Sequence, residues 1–131
     1  MSSPTEYVIT TTKARENFAS AATGTTSLSP ITQIAFGNGG FDSGAGEPTQ
    51  PDPNATSIAG ELLKKDIESF NLDVATTAEF VGILDFDELN GEDISSIGLY
   101  NADNELMAIK HTSPKAKTSD TKLEINFENR F

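Results

Sequence analysis

The chain has 131 residues, 36% hydrophobic and 22% charged, with no cysteine and a formal net charge of −11. That length fits one domain with a real core, and the composition excludes disulfides and thiolate metal sites. Fifteen of the twenty acidic residues, against only Lys64 and Lys65 of the nine basic ones, fall within residues 36–109. This field works against nucleic acid, whose affinity rests on basic contacts to phosphate, and against an anionic membrane surface.

No run of 18 apolar residues is present, so no transmembrane helix is expected. The opening Met1 to Glu6 has neither a basic flank nor an apolar stretch, so export by a signal peptide is not expected either. Tyr7, Val8 and Ile9 make a short apolar start. From Thr11 to Ala22 the spacing of Ala14, Phe18, Ala21 and Ala22 predicts a helix, capped by Thr11 or Thr12 and ended by Gly24. Small alanines on that face would let it lie close against a sheet. Residues 23–29 fit a strand or a loop.

The run Ile31 to Phe36 alternates, then breaks at Gly37, Gly39 and Gly40. This predicts a buried strand leaving a sheet through a sharp structural turn. A phosphate cradle fails on spacing. The third position of a dinucleotide fingerprint is Asp42, and Ala45 stands where a Walker-type loop needs its lysine. Residues 37–54, rich in glycine and holding Pro48, Pro51 and Pro53, are expected to be a long loop without regular structure, extended in its second half. Loops of that length tend to be functional or mobile.

Residues 55–65 read as a second short helix, with Ile58, Leu62 and Leu63 inward and Lys64 and Lys65 at the negative end of its dipole. Ile67 to Val74 reads as a strand with an irregular start. Thr77 to Leu89 gives the strongest β signal. Ala78, Phe80, Gly82, Leu84 and Phe86 share one face, and Val81 and Ile83 interrupt the other, so a central strand covered on both faces is expected. It runs into the acidic turn 85–93, where Asn90-Gly91 is a hairpin-type signal. An EF-hand fails there, because Leu89, Asn90 and Ser96 occupy required positions. A looser calcium site and a plain solvated turn both remain open.

Ile94 to Tyr100 and Glu105 to His111 predict a hairpin around Asn101-Ala102-Asp103-Asn104. His111 is the only histidine. It has no cysteine to complete a zinc site, there is no Gly-x-Ser-x-Gly nucleophile motif, and a surface position at a strand end is expected. The final alternation, with Leu123, Ile125 and Phe127 inward, predicts a half-buried edge strand. Terminal Phe131 is a candidate intersubunit anchor, or folds back on the core.

Two of these segments carry a family resemblance. Ile31 to Gly40, Ile-Thr-Gln-Ile-Ala-Phe-Gly-Asn-Gly-Gly, and Ile94 to Ile109, Ile-Ser-Ser-Ile-Gly-Leu-Tyr-Asn-Ala-Asp-Asn-Glu-Leu-Met-Ala-Ile, resemble the N-terminal, baseplate-attachment domain of phage tail-collar fibre proteins. The opening Tyr7 to Gly24 and the last strand fit as well. Ser95 and Ser96 depart from a common Arg-Glu pair, and Asn104 replaces a turn glycine whose left-handed angles asparagine tolerates.

The expectation is therefore a mainly β, sandwich-like single domain with one or two short helices, and no enzyme and no cofactor. The resemblance implies a structural component of a phage tail or phage-like contractile injection particle, assembled in the bacterial cytoplasm. In that role it would join a fibre to other tail or baseplate proteins, as a homo-oligomer, trimers among the possibilities. The candidate interface residues are Phe41, Asp42, Asp85, Asp87, Glu88 and Phe131. The acidic field suits a partner with a basic docking surface, and equally suits solubility alone. The alternative is a calcium-dependent or carbohydrate-binding adhesion module.

Overall fold

The computed structural model describes residues 5–130. Strands β1 (Glu6–Thr10), β2 (Ile31–Gly37), β5 (Glu61–Asp66), β8 (Asp93–Asn101) and β9 (Leu106–Ala116) form one antiparallel sheet in the order β1-β9-β8-β2-β5. Strands β6 (Ser69–Val74), β7 (Thr77–Leu84) and β10 (Leu123–Arg130) form a second, in the order β10-β7-β6. A two-stranded ribbon, β3 (Phe41–Asp42) with β4 (Glu47–Pro48), and one helix, α1 (Thr12–Ala22), complete the fold.

The two larger sheets face each other. Ile34 and Phe36 of β2, Ile97 and Leu99 of β8, and Ala108 of β9 meet Phe80 and Leu84 of β7 and Ile125 and Phe127 of β10. The expected sandwich is present, because strict alternation in these strands places one apolar face inward. Gly82 sets the closest approach of the layers: a Cβ there would lie 2.7 Å from Ile34 Cγ2 and 3.0 Å from Phe36 Cζ. β10 is an edge strand, as its alternation predicts.

The outer face of the five-stranded sheet carries a smaller core of Ala35, Tyr100, Leu106 and Ile109, closed by Ile58. Ile58 fills the dent above Gly98, where a Cβ would stand 2.4 Å from its Cγ2. Tyr100 is also covered by Lys64, whose ammonium sits 4.1 Å from the ring centroid. Its hydroxyl donates to Glu61 Oε1 at 2.6 Å. Burial first, and this carboxylate second, push the phenol above its usual range.

Helix α1 begins as predicted. Thr11 caps it by accepting from Ala14 N, and the same hydroxyl donates to Leu106 O at 2.7 Å. The helix packs on the end of β9 rather than flat on a sheet, held by Asn17 and Lys13 on Glu105. Hydrogen bonds from Asn101 and then Asn17, with Lys13 close by, hold the Glu105 carboxyl below its ordinary range. In the turn between β8 and β9 Asn104 takes φ +62°, the left-handed angle expected of it.

Three expectations are corrected. Residues 55–65 form no helix. Ile58 plugs the outer core from an irregular segment, and Glu61–Asp66 pairs with β2 from Gln33 to Gly37. The backbone acceptors of β2 and the inward place for Leu63 outweigh the helical preference of Glu-Leu-Leu-Lys-Lys. Residues 37–54 are not structureless, since they contain the β3–β4 ribbon. β7 is central in its sheet but ends at Leu84; Val81 and Ile83 on its outer face stay half-buried, and Phe86 is 51% exposed.

Candidate protein-docking face

Register places β2's last residue, the first residues of β8 and the last of β9 at one end of the sandwich. The glycine turn, the β3–β4 ribbon and residues 85–93 all emerge there. Gly40 has φ +77°, and a Cβ on it would lie 2.5 Å from the His111 ring. At Gly37 a Cβ would meet Ser96 Oγ at 2.5 Å, and at Gly39 it would meet Ala59 Cβ at 2.6 Å. Only glycine fits this passage of the chain between two layers of other residues.

Buried polar side chains clamp the turn from beneath. Ser95 Oγ donates to Gly39 O at 2.7 Å, and Ser96 Oγ donates to Ala59 O at 2.6 Å. The two serines that depart from the Arg-Glu pattern therefore serve as short internal donors. His111 does not sit on the surface as expected. It is 6% exposed, lies under Gly40, and donates from Nδ1 to Thr49 O at 2.8 Å. Its place is fixed because β9 continues past it to Ala116, with His111 opposite Ser96.

The ribbon above is tied at both ends. Thr49 N donates to Gly40 O at 3.0 Å, and Gly46 N to Asp42 O at 2.7 Å. Asp42 Oδ1 also accepts from Gly44 N and Ala45 N, so part of this carboxylate shapes the turn. Phe41 is half-buried and lies opposite Pro48.

Residues 85–93 divide into two parts. Lys65 Nζ lies 2.6 Å from Glu88 Oε1 and 3.8 Å from Asp85, and Lys122 approaches Asp85 at 3.8 Å. Asp85 N donates to Glu88 Oε1 at 2.8 Å. This backbone donor first, and Lys65 next, hold the Glu88 carboxyl below its ordinary range. Asp85 and Glu88 thus serve the fold's own closure, whereas Asp87 is exposed and has no ion-pair partner among the described residues. The second part, Gly91 to Asp93, turns toward the glycine segment, where Asn38 Nδ2 donates to Glu92 Oε2 at 3.4 Å. Between them runs an open groove of about 380 Å3 bordered by Asn38, Phe41, Glu92, Asp93 and Pro114.

Lys117 locks this turn and was not singled out by sequence reasoning. It is fully buried, donates to Asn90 Oδ1 at 2.7 Å and Thr118 O at 2.9 Å, and its backbone pairs with Gly91 and Glu92. Nothing in a polar stretch with alternating lysines marks one of them as internal. Of the expected interface residues, Phe41 borders this groove, Asp42 is exposed in the ribbon, Asp87 is exposed in the segment 85–93, and Asp85 and Glu88 are paired with lysine. Phe131 lies outside the described residues. Among the described residues no cluster of three or more His, Asp or Glu side chains is placed to hold a metal ion.

The sequence profile of the family described as phage tail-collar fibre protein, N-terminal, matches residues 3–126. The chain belongs to that family, which gives it a structural role in a phage tail and other tail proteins as its partners. No curated protein matches the chain.

Proposed function

We propose that this chain is a fibre-attachment or baseplate-adaptor domain of a phage tail or phage-like contractile injection particle, acting through protein–protein binding and not through catalysis. The observation that supports this reading is the face at 38–46 and 87–93. Its backbone is clamped from beneath by Ser95, Ser96, His111 and Lys117. A surface already rigid loses little freedom on docking. Phe41 supplies an apolar anchor, and Asp87, Glu92 and Asp93 an acidic border, so the partner presents lysine or arginine around an apolar socket. The chain assembles in the bacterial cytoplasm as a homo-oligomer, with a trimer as the stoichiometry to test.

The experiment is recovery in particles. Tails are sedimented from producing cells, and peptides of this chain are counted against the tail-tube protein. The expected result is a fixed low ratio, retained on repeated sedimentation and lowered by Phe41→Ala combined with Asp93→Lys. Particles that form while the protein stays wholly soluble would refute the reading.

A further inference from the structure

The geometry points to β6 as an acceptor for a strand from another protein, one that alternates apolar and basic residues. This goes beyond the docking face, which lies on different elements. β6 ends the three-stranded sheet, and no strand among the described residues pairs with its other side. Phe70 and Leu72 lie opposite Phe80 and Ala78 of β7, so they continue the core-facing side of that sheet. They are nevertheless 74% and 67% exposed, and Val74, which follows a register shift and pairs with Thr77, is 60% exposed. The reason is topological. β5 ends at Asp66, where the chain crosses to the other layer, and the stripe runs on past it.

Native edges are normally blunted by charge, proline or cover. β10 follows that rule with Glu124, Asn126 and Glu128 outward, but β6 presents two large exposed apolar side chains on its core-facing side. An added strand would pair its backbone with the open edge and lay its own apolar residues beside Phe70 and Leu72.

Charge decides the occupant. On the outer face of this sheet Glu79 of β7 stands opposite Asn71 of β6, one strand in from the open edge. Exposed Asp66 and Glu68 lead into β6. Lysine or arginine at alternate positions of an added strand would pass over Asn71 toward Glu79. A second copy is disfavoured, because it brings the same net charge of −11 and, at its own β6, the same Asp66 and Glu68.

The test uses the full chain, isotope-labelled, and three synthetic peptides. One alternates lysine and valine over seven residues, one replaces lysine by glutamate, and one scrambles the first. The expected result is that the alternating basic peptide protects amides of residues 69–74 from hydrogen exchange. The glutamate and scrambled peptides bind about tenfold more weakly, the loss of two or three cross-strand pairs. Leu72→Lys, a change at an exposed site, removes the binding while keeping the melting transition. Three results overturn the inference: protection only outside β6, equal binding of the scrambled peptide, or self-association of the free chain that protects 69–74. The first two refute strand addition, and the third makes a second copy the occupant.

Discussion

Replacing Gly98 by alanine tests the outer core through a change of sign. In an open strand Gly→Ala removes freedom from the unfolded chain and stabilises by about 0.4–1 kcal/mol. Here the new methyl would lie 2.4 Å from Ile58 Cγ2 and 3.0 Å from Leu106 Cδ1. Overpacking of that kind costs about 1–3 kcal/mol, so Gly98→Ala should destabilise by a net of about 1–2 kcal/mol. Ile58→Ala removes the colliding carbon and leaves a cavity. Buried Ile→Ala changes cost about 2–5 kcal/mol, and the irregular segment carrying Ile58 can relax, which favours the lower half. In that background Gly98→Ala meets no Cγ2 and refills part of the void, so it should become neutral or stabilising. The measured coupling, from urea unfolding followed by far-ultraviolet circular dichroism, is then about 1–3 kcal/mol. Additivity within about 0.5 kcal/mol, the behaviour of independent sites, would show that Ile58 does not occupy the dent.

Three further outcomes follow from charged and polar groups. The Glu88 carboxyl is held below the ordinary glutamate value of 4.5, so its contribution is present above that pH and is lost as pH falls through the lower native value. Glu88→Gln should therefore flatten the acid limb of the stability–pH curve, and a carboxyl titration by NMR should place the native Glu88 below 4.5. Tyr100 is shifted the other way from the ordinary tyrosine value of 10.0; its neutral form is favoured in the native state, so this contribution is lost as pH rises above that value. Ultraviolet titration should show its ring ionising late, and Glu61→Gln should bring it earlier. Lys117→Met keeps the buried stem but removes the donors to Asn90 and Thr118 O, which should cost about 1.5–3 kcal/mol and speed amide exchange at Gly91 more than at Leu99.

What the sequence shows well is what depends on neighbouring positions along one strand. The alternations of Ile31–Phe36 and Leu123–Phe127, the hairpin around 101–104 and the Thr11 cap are all present. What it hides is decided across the chain. Ile58, Leu62 and Leu63 have helical spacing, yet the vacant edge of β2 and the dent over Gly98 make that segment a plug and a strand. His111 and Lys117 are polar side chains in strand and loop, and only the carbonyls of Thr49 and Thr118, with Asn90, make their burial affordable. Phe70, Leu72 and Val74 look like ordinary core residues, because a sequence does not show where the opposing sheet stops. At the candidate face, Phe41 and Asp42 were visible as parts of a loop, whereas the pairing of Asp85 and Glu88 with Lys65 depended on the fold.

The Thr11 cap ties the order of synthesis to the order of folding. Its hydroxyl and amide bond to the carbonyls of Leu106 and Met107, and among the described residues β1 pairs with β9 alone. Thr11 is made 95 residues before Leu106, so within this domain the start waits for a distant partner. Loop closure over such a separation slows folding, and β1 and the start of α1 stay without these partners until β9 is translated. A strong acidic charge keeps those waiting segments apart, so the same electrostatics that would select a basic partner in the finished tail would also guard the unfinished chain against its copies on neighbouring ribosomes.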